Sequence, residues 1–85
     1  MKKEYFVEFG QIVDTDIWYR TEDKVLTTIG CSSFENARDV AVGLYCDIVF
    51  KHNDNPDLGV TNLYTKKRAR LGDVYVAIKS RVIWD

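Results

Sequence analysis

Alternating polar and apolar residues on either side of Gly72-Asp73 constrain this chain more than any other feature. A two-residue connection containing glycine, set between segments of period two, predicts a tight β-hairpin, because glycine supplies the positive φ that the turn needs. With Leu71 opposite Val74, the pairing places Ala69, Thr65 and Leu63 opposite Val76, Ser80 and Val82, on a side that also holds Ile78 and Trp84. The other side collects Tyr64, Lys66, Arg68 and Arg70 from one strand, and Tyr75, Ala77, Lys79 and Arg81 from the other. Two strands spanning Asn62–Trp84 would thus present five cations and two tyrosines on one surface. Lys66 would face Lys79, a like-charge pair that points either to a bound anion or to a register shifted by one.

A helical reading competes over the first of these strands. Val60, Leu63, Tyr64, Lys67 and Leu71 fall at helical spacing, with Gly72 as a C-terminal cap and basic residues that complement the dipole. The strand reading is adopted.

Upstream, Tyr5–Val13 is apolar and β-favouring, with Val7, Phe9 and Val13 on one side and Phe6, Glu8 and Ile12 on the other. Asp14-Thr15-Asp16 predicts a turn, Ile17–Thr21 a short strand, Glu22-Asp23-Lys24 a second turn and Val25–Cys31 a third strand. Ser32-Ser33-Phe34-Glu35 fits a capping box, in which the serine hydroxyl accepts from a first-turn N–H and Glu35 reciprocates. Phe34, Ala37, Ala41, Leu44 and Ile48 then recur at helical spacing as a core face, opposite a wet face of Glu35, Asp39, Gly43, Asp47 and Lys51. His52 and Asn53 close that helix, and Asn55-Pro56 forbids its continuation. A second apolar ridge of Val42, Cys46, Val49 and Phe50 makes the non-polar arc too wide for one sheet. Either the Asp54–Thr61 loop folds back over the ridge, which is the reading adopted, or the ridge docks a partner. The expected fold is α+β: a small antiparallel sheet of four to five strands, in the order β-β-β-α-β-β, with one amphipathic helix on one face.

Size and charge narrow the function. The 85 residues form one domain, 1–85, able to bury ~60–65% of its unfolded surface, enough for a modest core without a deep pocket. Through Asp57 the chain carries six Lys/Arg against eleven Asp/Glu, a net −5; from Leu58 onward it carries six against two, a net +4. Either the halves attract each other within the fold, or the second half attracts a polyanion. Met1-Lys2-Lys3 is followed by Glu4 rather than by a leader-type apolar run, and no segment approaches the ~20 apolar residues needed to span a bilayer. Cys31 and Cys46 would lie ~22 Å apart along a helix, too far for a disulfide. A cytoplasmic setting without membrane contact is expected.

Catalytic patterns are missing. The single histidine, His52, has no nucleophile beside it in sequence, and Cys31 has no nearby second cysteine. Asn53, Asn55 and Asp57 alternate as calcium ligands do, but Leu58 stands where a glycine is needed and Tyr64 where a bidentate glutamate is needed. There is no zinc spacing and no phosphate loop, so no metal, cofactor or enzymatic activity is expected.

Binding is what remains. In size and plan, the three strands, the Ser33-Phe34-Glu35-Asn36-Ala37-Arg38 helix start and the closing strands are similar in style to small accessory proteins of phages and mobile elements. That similarity implies a non-enzymatic module that modulates or inhibits a larger protein, such as a nucleic-acid-handling machine. Trp18-Tyr19 and Ile83-Trp84 are candidate anchors, although Trp84 continues the Val76, Ile78 and Val82 side and is expected in the core. An unpaired edge strand could pair with a partner's sheet or with a second copy as a homodimer. The alternative is single-stranded RNA or DNA binding, with Lys66, Arg68, Arg70, Lys79 and Arg81 on phosphates and Tyr64 and Tyr75 stacking on bases.

Overall fold

The computed structural model describes residues 2–15, 20–51 and 57–84. Within them the chain runs β1 (Lys2–Asp14), β2 (Thr21–Cys31), α1 (Phe34–Lys51), α2 (Asp57–Lys66), β3 (Arg68–Leu71) and β4 (Val74–Ile83). The fold is therefore α+β, with a four-stranded antiparallel sheet in the order β2-β1-β4-β3 and two helices rather than one. β2 and β3 are opposite edges of the sheet, so the connection between them must cross a whole face. The helix pair makes that crossing.

The core lies between the helices and this face. Val7, Val76, Ile78 and Ala69 of the sheet meet Ala37, Ala41, Tyr45 and Val49 of α1 and Leu63 of α2. The fully buried stripe of α1 is thus Ala37, Ala41, Tyr45 and Val49, rotated from the expected face, while Phe34, Leu44 and Ile48 are only partly covered. Small alanines let the helix approach the sheet, and the longer Tyr45 and Val49 fill the space toward α2. The expected wet face is exposed at all five positions.

The helix start sits one residue later than the capping box predicted. Ser33 Oγ accepts from the Asn36 N–H at 3.1 Å, and Asn36 Oδ1 accepts from the Ser32 N–H at 3.3 Å. Asn36, not Glu35, returns the bond, because counting from Ser33 makes it the third helical residue.

The largest correction falls on residues 57–67. They form α2 and its cap, so the pairs Thr65–Ser80 and Leu63–Val82 do not exist, while Leu71–Val74 and Ala69–Val76 pair as expected. Lys67, at φ 59°, ends the helix in the left-handed conformation, and Gly72, also at φ 59°, serves the hairpin turn instead of capping a helix. From this helix Leu63 is fully buried in the core beside α1 and the sheet. Thr61 and Thr65, otherwise strand-favouring, donate their hydroxyls to the Asp57 and Thr61 carbonyls at 2.9 Å each. Gly59 lies against the Tyr45 ring, where a Cβ would overlap it. This helix, rather than a loop, covers part of α1.

The N-terminal half is also simpler than expected. Glu22, Asp23 and Lys24 are not a turn but belong to β2, opposite Val13, Ile12 and Gln11. A bulge opposite Phe9/Gly10 leaves Leu26 as the extra residue on β2. Thr15 and Arg20 close the β1–β2 connection through two 2.9 Å bonds to the Arg20 carbonyl. Most of the expected Ile17–Thr21 strand, Trp18-Tyr19, and His52, Asn53 and Asn55-Pro56 lie outside the described residues; Thr21 opens β2. Cys31 and Cys46 are free thiols.

Candidate interaction surfaces

The sheet face away from the helices carries most of the cations singled out from the sequence, and the fold pairs them internally. Tyr75 on β4 stands beside Gly10 on β1, and its ring lies where a Gly10 Cβ would come within 2.6 Å. Arg68, on the short edge strand β3, stacks over that ring at 4.3 Å. The same guanidinium forms a bidentate pair with Asp23 on the opposite edge strand, at 2.7 and 2.9 Å. For one side chain to link β3 with β2, the sheet must curl strongly, which the bulge beside Gly10 allows. Beneath this strap, the Tyr75 hydroxyl donates to Glu8 Oε2 at 2.8 Å, and Lys79 Nζ sits 3.2 Å from the same oxygen. Arg81 Nε pairs with Glu4 at 3.1 Å further along.

This network shifts three ionisable groups. Its bonds to the Asp23 carboxylate raise the Arg68 guanidinium above its ordinary value. Burial, together with the bond to the Glu8 carboxylate, pushes the Tyr75 phenol up to about 12. The Arg68 hydrogen bonds hold the Asp23 carboxyl below its ordinary value. The acidic and basic halves of the sequence therefore meet on this face and neutralise each other.

The predicted basic surface divides accordingly. Arg68, Lys79 and Arg81 are bound to carboxylates, and Arg70 Nε donates to the Gly72 carbonyl at 2.7 Å. Tyr64 and Lys66 lie on α2, away from the hairpin, so Lys66 does not oppose Lys79, and Tyr64 sits under the Arg38 guanidinium at 5.2 Å. Tyr75 is 1% exposed and offers no stacking surface. Glu8 and Asp23, which organise the face, were not singled out from the sequence; the opposite net charges of the two halves were their only trace.

Apolar candidates also separate. In the ridge, Val49 is core, Val42 and Cys46 are half-buried, and Phe50 remains 66% exposed. Trp84 is 78% exposed rather than buried, and Val82 and Ile83 are exposed beside it, outside the core cluster formed by the helices and the sheet.

Two of the stretches of strand edge without a neighbour among the described residues are long enough to receive another strand: the free side of β2 and the part of β4 beyond Ile78. The Ile78 N–H donates to the Lys67 carbonyl at 2.8 Å, so the even-numbered residues of β4 direct their main-chain groups outward and the odd-numbered ones toward β1. The Ile12 N–H donates to the Asp73 carbonyl at 2.6 Å, so the even-numbered residues of β1 face β4 and the odd-numbered ones face β2. Tyr5, Val7 and Phe9 then bond Cys31, Ile29 and Thr27, leaving Thr28 and Gly30 directed outward on the free side of β2. All eleven residues of β2 except Ile29 and Cys31 are exposed.

No protein-family model, curated protein or solved structure matches the chain. Among the described residues, no helix is long and apolar enough to cross a membrane, and no three His, Cys, Asp or Glu side chains converge as a metal site.

Proposed function

We propose that this chain is a non-enzymatic binding module that modulates or inhibits a larger protein by receiving a partner strand along the free edge of β2. The observation that carries this reading is the edge itself. It is an eleven-residue strand with no outer neighbour among the described residues, and Val25–Cys31 bears no charge. Exposed edges of this kind are normally guarded by charge, proline or bulges. Here the charges of Glu22, Asp23 and Lys24 and the bulge at Leu26 guard only the first part, leaving Thr27–Cys31 regular. Main-chain bonds from Thr28 and Gly30 would supply affinity, and exposed Val25 and Leu26 would supply side-chain contact. Direct nucleic-acid binding by the hairpin face has less support, since the pairing of Arg68, Lys79 and Arg81 leaves little free charge for phosphates.

The test uses Thr28→Pro, which deletes one outward N–H and leaves the ladder to β1 intact. Tagged protein and the variant are used to capture partners from lysate of the native cell, with and without nuclease, and light scattering reports self-association. The expected result is a nuclease-resistant protein partner that the variant loses while keeping its circular dichroism spectrum. Capture unaffected by Thr28→Pro, or capture of nucleic acid alone, overturns the proposal. A dimer that Thr28→Pro dissociates would assign the edge to a second copy instead.

A further inference from the structure

We propose a second, chemically distinct site: a cleft beside the C-terminal half of β4 that binds an extended acidic peptide segment of a partner protein. The site is separate from the β2 edge and does not depend on it. β3 ends at Arg68, opposite Ala77, and after the Lys67 carbonyl bonds Ile78 the chain turns back into α2. From Lys79 onward β4 has no outer neighbour among the described residues. By the alternation established at Ile78, the N–H and C=O groups of Ser80 and Val82 point into this open side. A strand entering here would continue the line that β3 abandons.

Beside this edge lies a cleft of about 310 Å³, lined by Lys3, Tyr5, Phe34, Lys67 and Ser80 among others. Its volume is at the small end of ligand clefts, roughly 300–1,000 Å³, and suits a side chain or two rather than a cofactor. Tyr5 and Phe34 meet edge to face, with centroids 5.9 Å apart. The Lys3 ammonium lies 5.6 Å from the Tyr5 ring centre, and the Lys67 ammonium 5.4 Å from that of Phe34. No ion pair occupies Lys3 or Lys67 among the described residues, in contrast to Lys79, which also lines the cleft but pairs its ammonium with Glu8, and to Arg81, which pairs with Glu4.

Two cations held over aromatic rings favour a carboxylate, and the rings favour the hydrocarbon next to it. A free small anion would leave the Ser80 and Val82 carbonyls unused, and a nucleic-acid backbone would set phosphates against them. An extended peptide satisfies both the edge and the lysines, with alternate side chains entering the cleft.

The experiment titrates isotope-labelled full-length protein with acetyl-Thr-Val-Thr-Glu-Thr-Val-Thr-amide and with the same peptide carrying Gln or Lys at the central position. The Glu peptide should shift the amide signals of Lys67, Ser80 and Val82 and slow hydrogen exchange at Ser80 and Val82. The Gln peptide should bind roughly two- to fivefold more weakly, the range expected for losing an exposed ion pair, and the Lys peptide more weakly still. Ser80→Pro deletes one outward N–H and should abolish binding with the circular dichroism spectrum unchanged. Should that variant fail to fold, Lys67→Gly with Lys3→Gln serves instead and should erase the preference for Glu over Gln. Equal binding of the three peptides, a Glu preference that survives loss of both lysines, or shifts confined to Thr28 and Gly30 overturns the proposal.

Discussion

On the helix-covered face of the sheet, Val7, Val76 and Ile78 lie under Ala37, Ala41, Val49 and Leu63, whereas on the opposite face Tyr75, Ala77 and Ile12 are buried with no second layer above them among the described residues. The first face is closed by apolar side chains from two helices. The second is closed by side chains of the sheet itself: the Tyr75 ring laid on Gly10, the Arg68 guanidinium laid on Tyr75, and carboxylates at both ends of the stack. Among the described residues, both faces of the sheet are thus covered with helices on one side only, the other side being curled and its charges matched. The two faces should therefore differ in how they respond to truncation, pH and charge reversal.

Truncation in the helix-covered face should have the largest effect. Leu63 is fully buried in the core, so Leu63→Ala should cost about 2–5 kcal/mol. That is a large share of the total stability of a domain this size, on the order of 5–10 kcal/mol. Urea unfolding at low and high salt should give the same loss, because apolar burial is not screened. A strongly salt-dependent loss would mean that α2 is held by charge, like the open face.

The open face should show itself next, under alkali. Tyr75 has its pKa raised from 10.0 to about 12, so the folded state keeps a proton that the unfolded chain releases. The stabilisation is fully present below pH 10 and is lost as pH rises from 10 through 12, an amount of about 2–3 kcal/mol. Tyr75→Phe should flatten that portion of the stability profile, measured by urea unfolding across the range. An unchanged alkaline slope in the variant would show that the Tyr75–Glu8 bond does not survive in solution.

Charge reversal should then separate two arginines that the sequence pattern treated as equivalent. Arg68→Glu removes the bidentate pair and the ring stack and sets a carboxylate beside Asp23 and near Glu8, for a loss of about 1–2 kcal/mol with allowance for solvent screening. Arg70 bonds only the Gly72 carbonyl among the described residues, and Arg70→Glu should stay within about 0.5 kcal/mol. The Arg68 contribution should also fade in acid. Asp23 is held below its usual 3.8, so the pair is present above that pH and lost as pH falls through the lower folded value. Equal losses from the two reversals, read from denaturant midpoints, would break the distinction between a strapped face and a merely solvated one.

The sequence carried the helix-covered face better than the open one. The Ser33 cap, the alanine spacing of α1 and the Gly72-Asp73 turn with its first two pairs are local features, and each is present in the fold. Residues 62–67 were assigned to a strand by the alternation running back from the Gly72-Asp73 turn, and 54–61 to a loop, yet Asp57–Lys66 is helical and Leu63 packs into the core from α2; tertiary packing outweighed the alternating pattern. The open face was largely hidden because its partners are far apart in sequence, with Asp23 and Arg68 separated by 45 positions and Glu8 and Tyr75 by 67. Net charge by halves indicated that such pairing could occur but not which residues would meet. Trp84 was assigned to the core by strand alternation alone, which fixes the side of a strand and says nothing about how far along it the core extends.

The smallest expected effect lies where the two faces meet the chain reversal, at Lys67. Its left-handed backbone costs about 1 kcal/mol for a residue with a side chain, a cost that glycine avoids. Glycine in turn adds about 0.5–1 kcal/mol of unfolded-state entropy, and Lys67→Gly also gives up the contact over Phe34, worth about 0.5 kcal/mol at an exposed site. The terms nearly cancel, so Lys67→Gly should leave stability within about 0.5 kcal/mol of the parent, measured by denaturant unfolding. Lys67→Val is the sharper contrast, since a β-branched residue is strongly disfavoured at φ 59° and should cost clearly more than the glycine. If valine and glycine proved equally tolerated, α2 would not end in the left-handed cap described here, and the Lys67 ammonium would not be fixed over Phe34 beside the β4 edge.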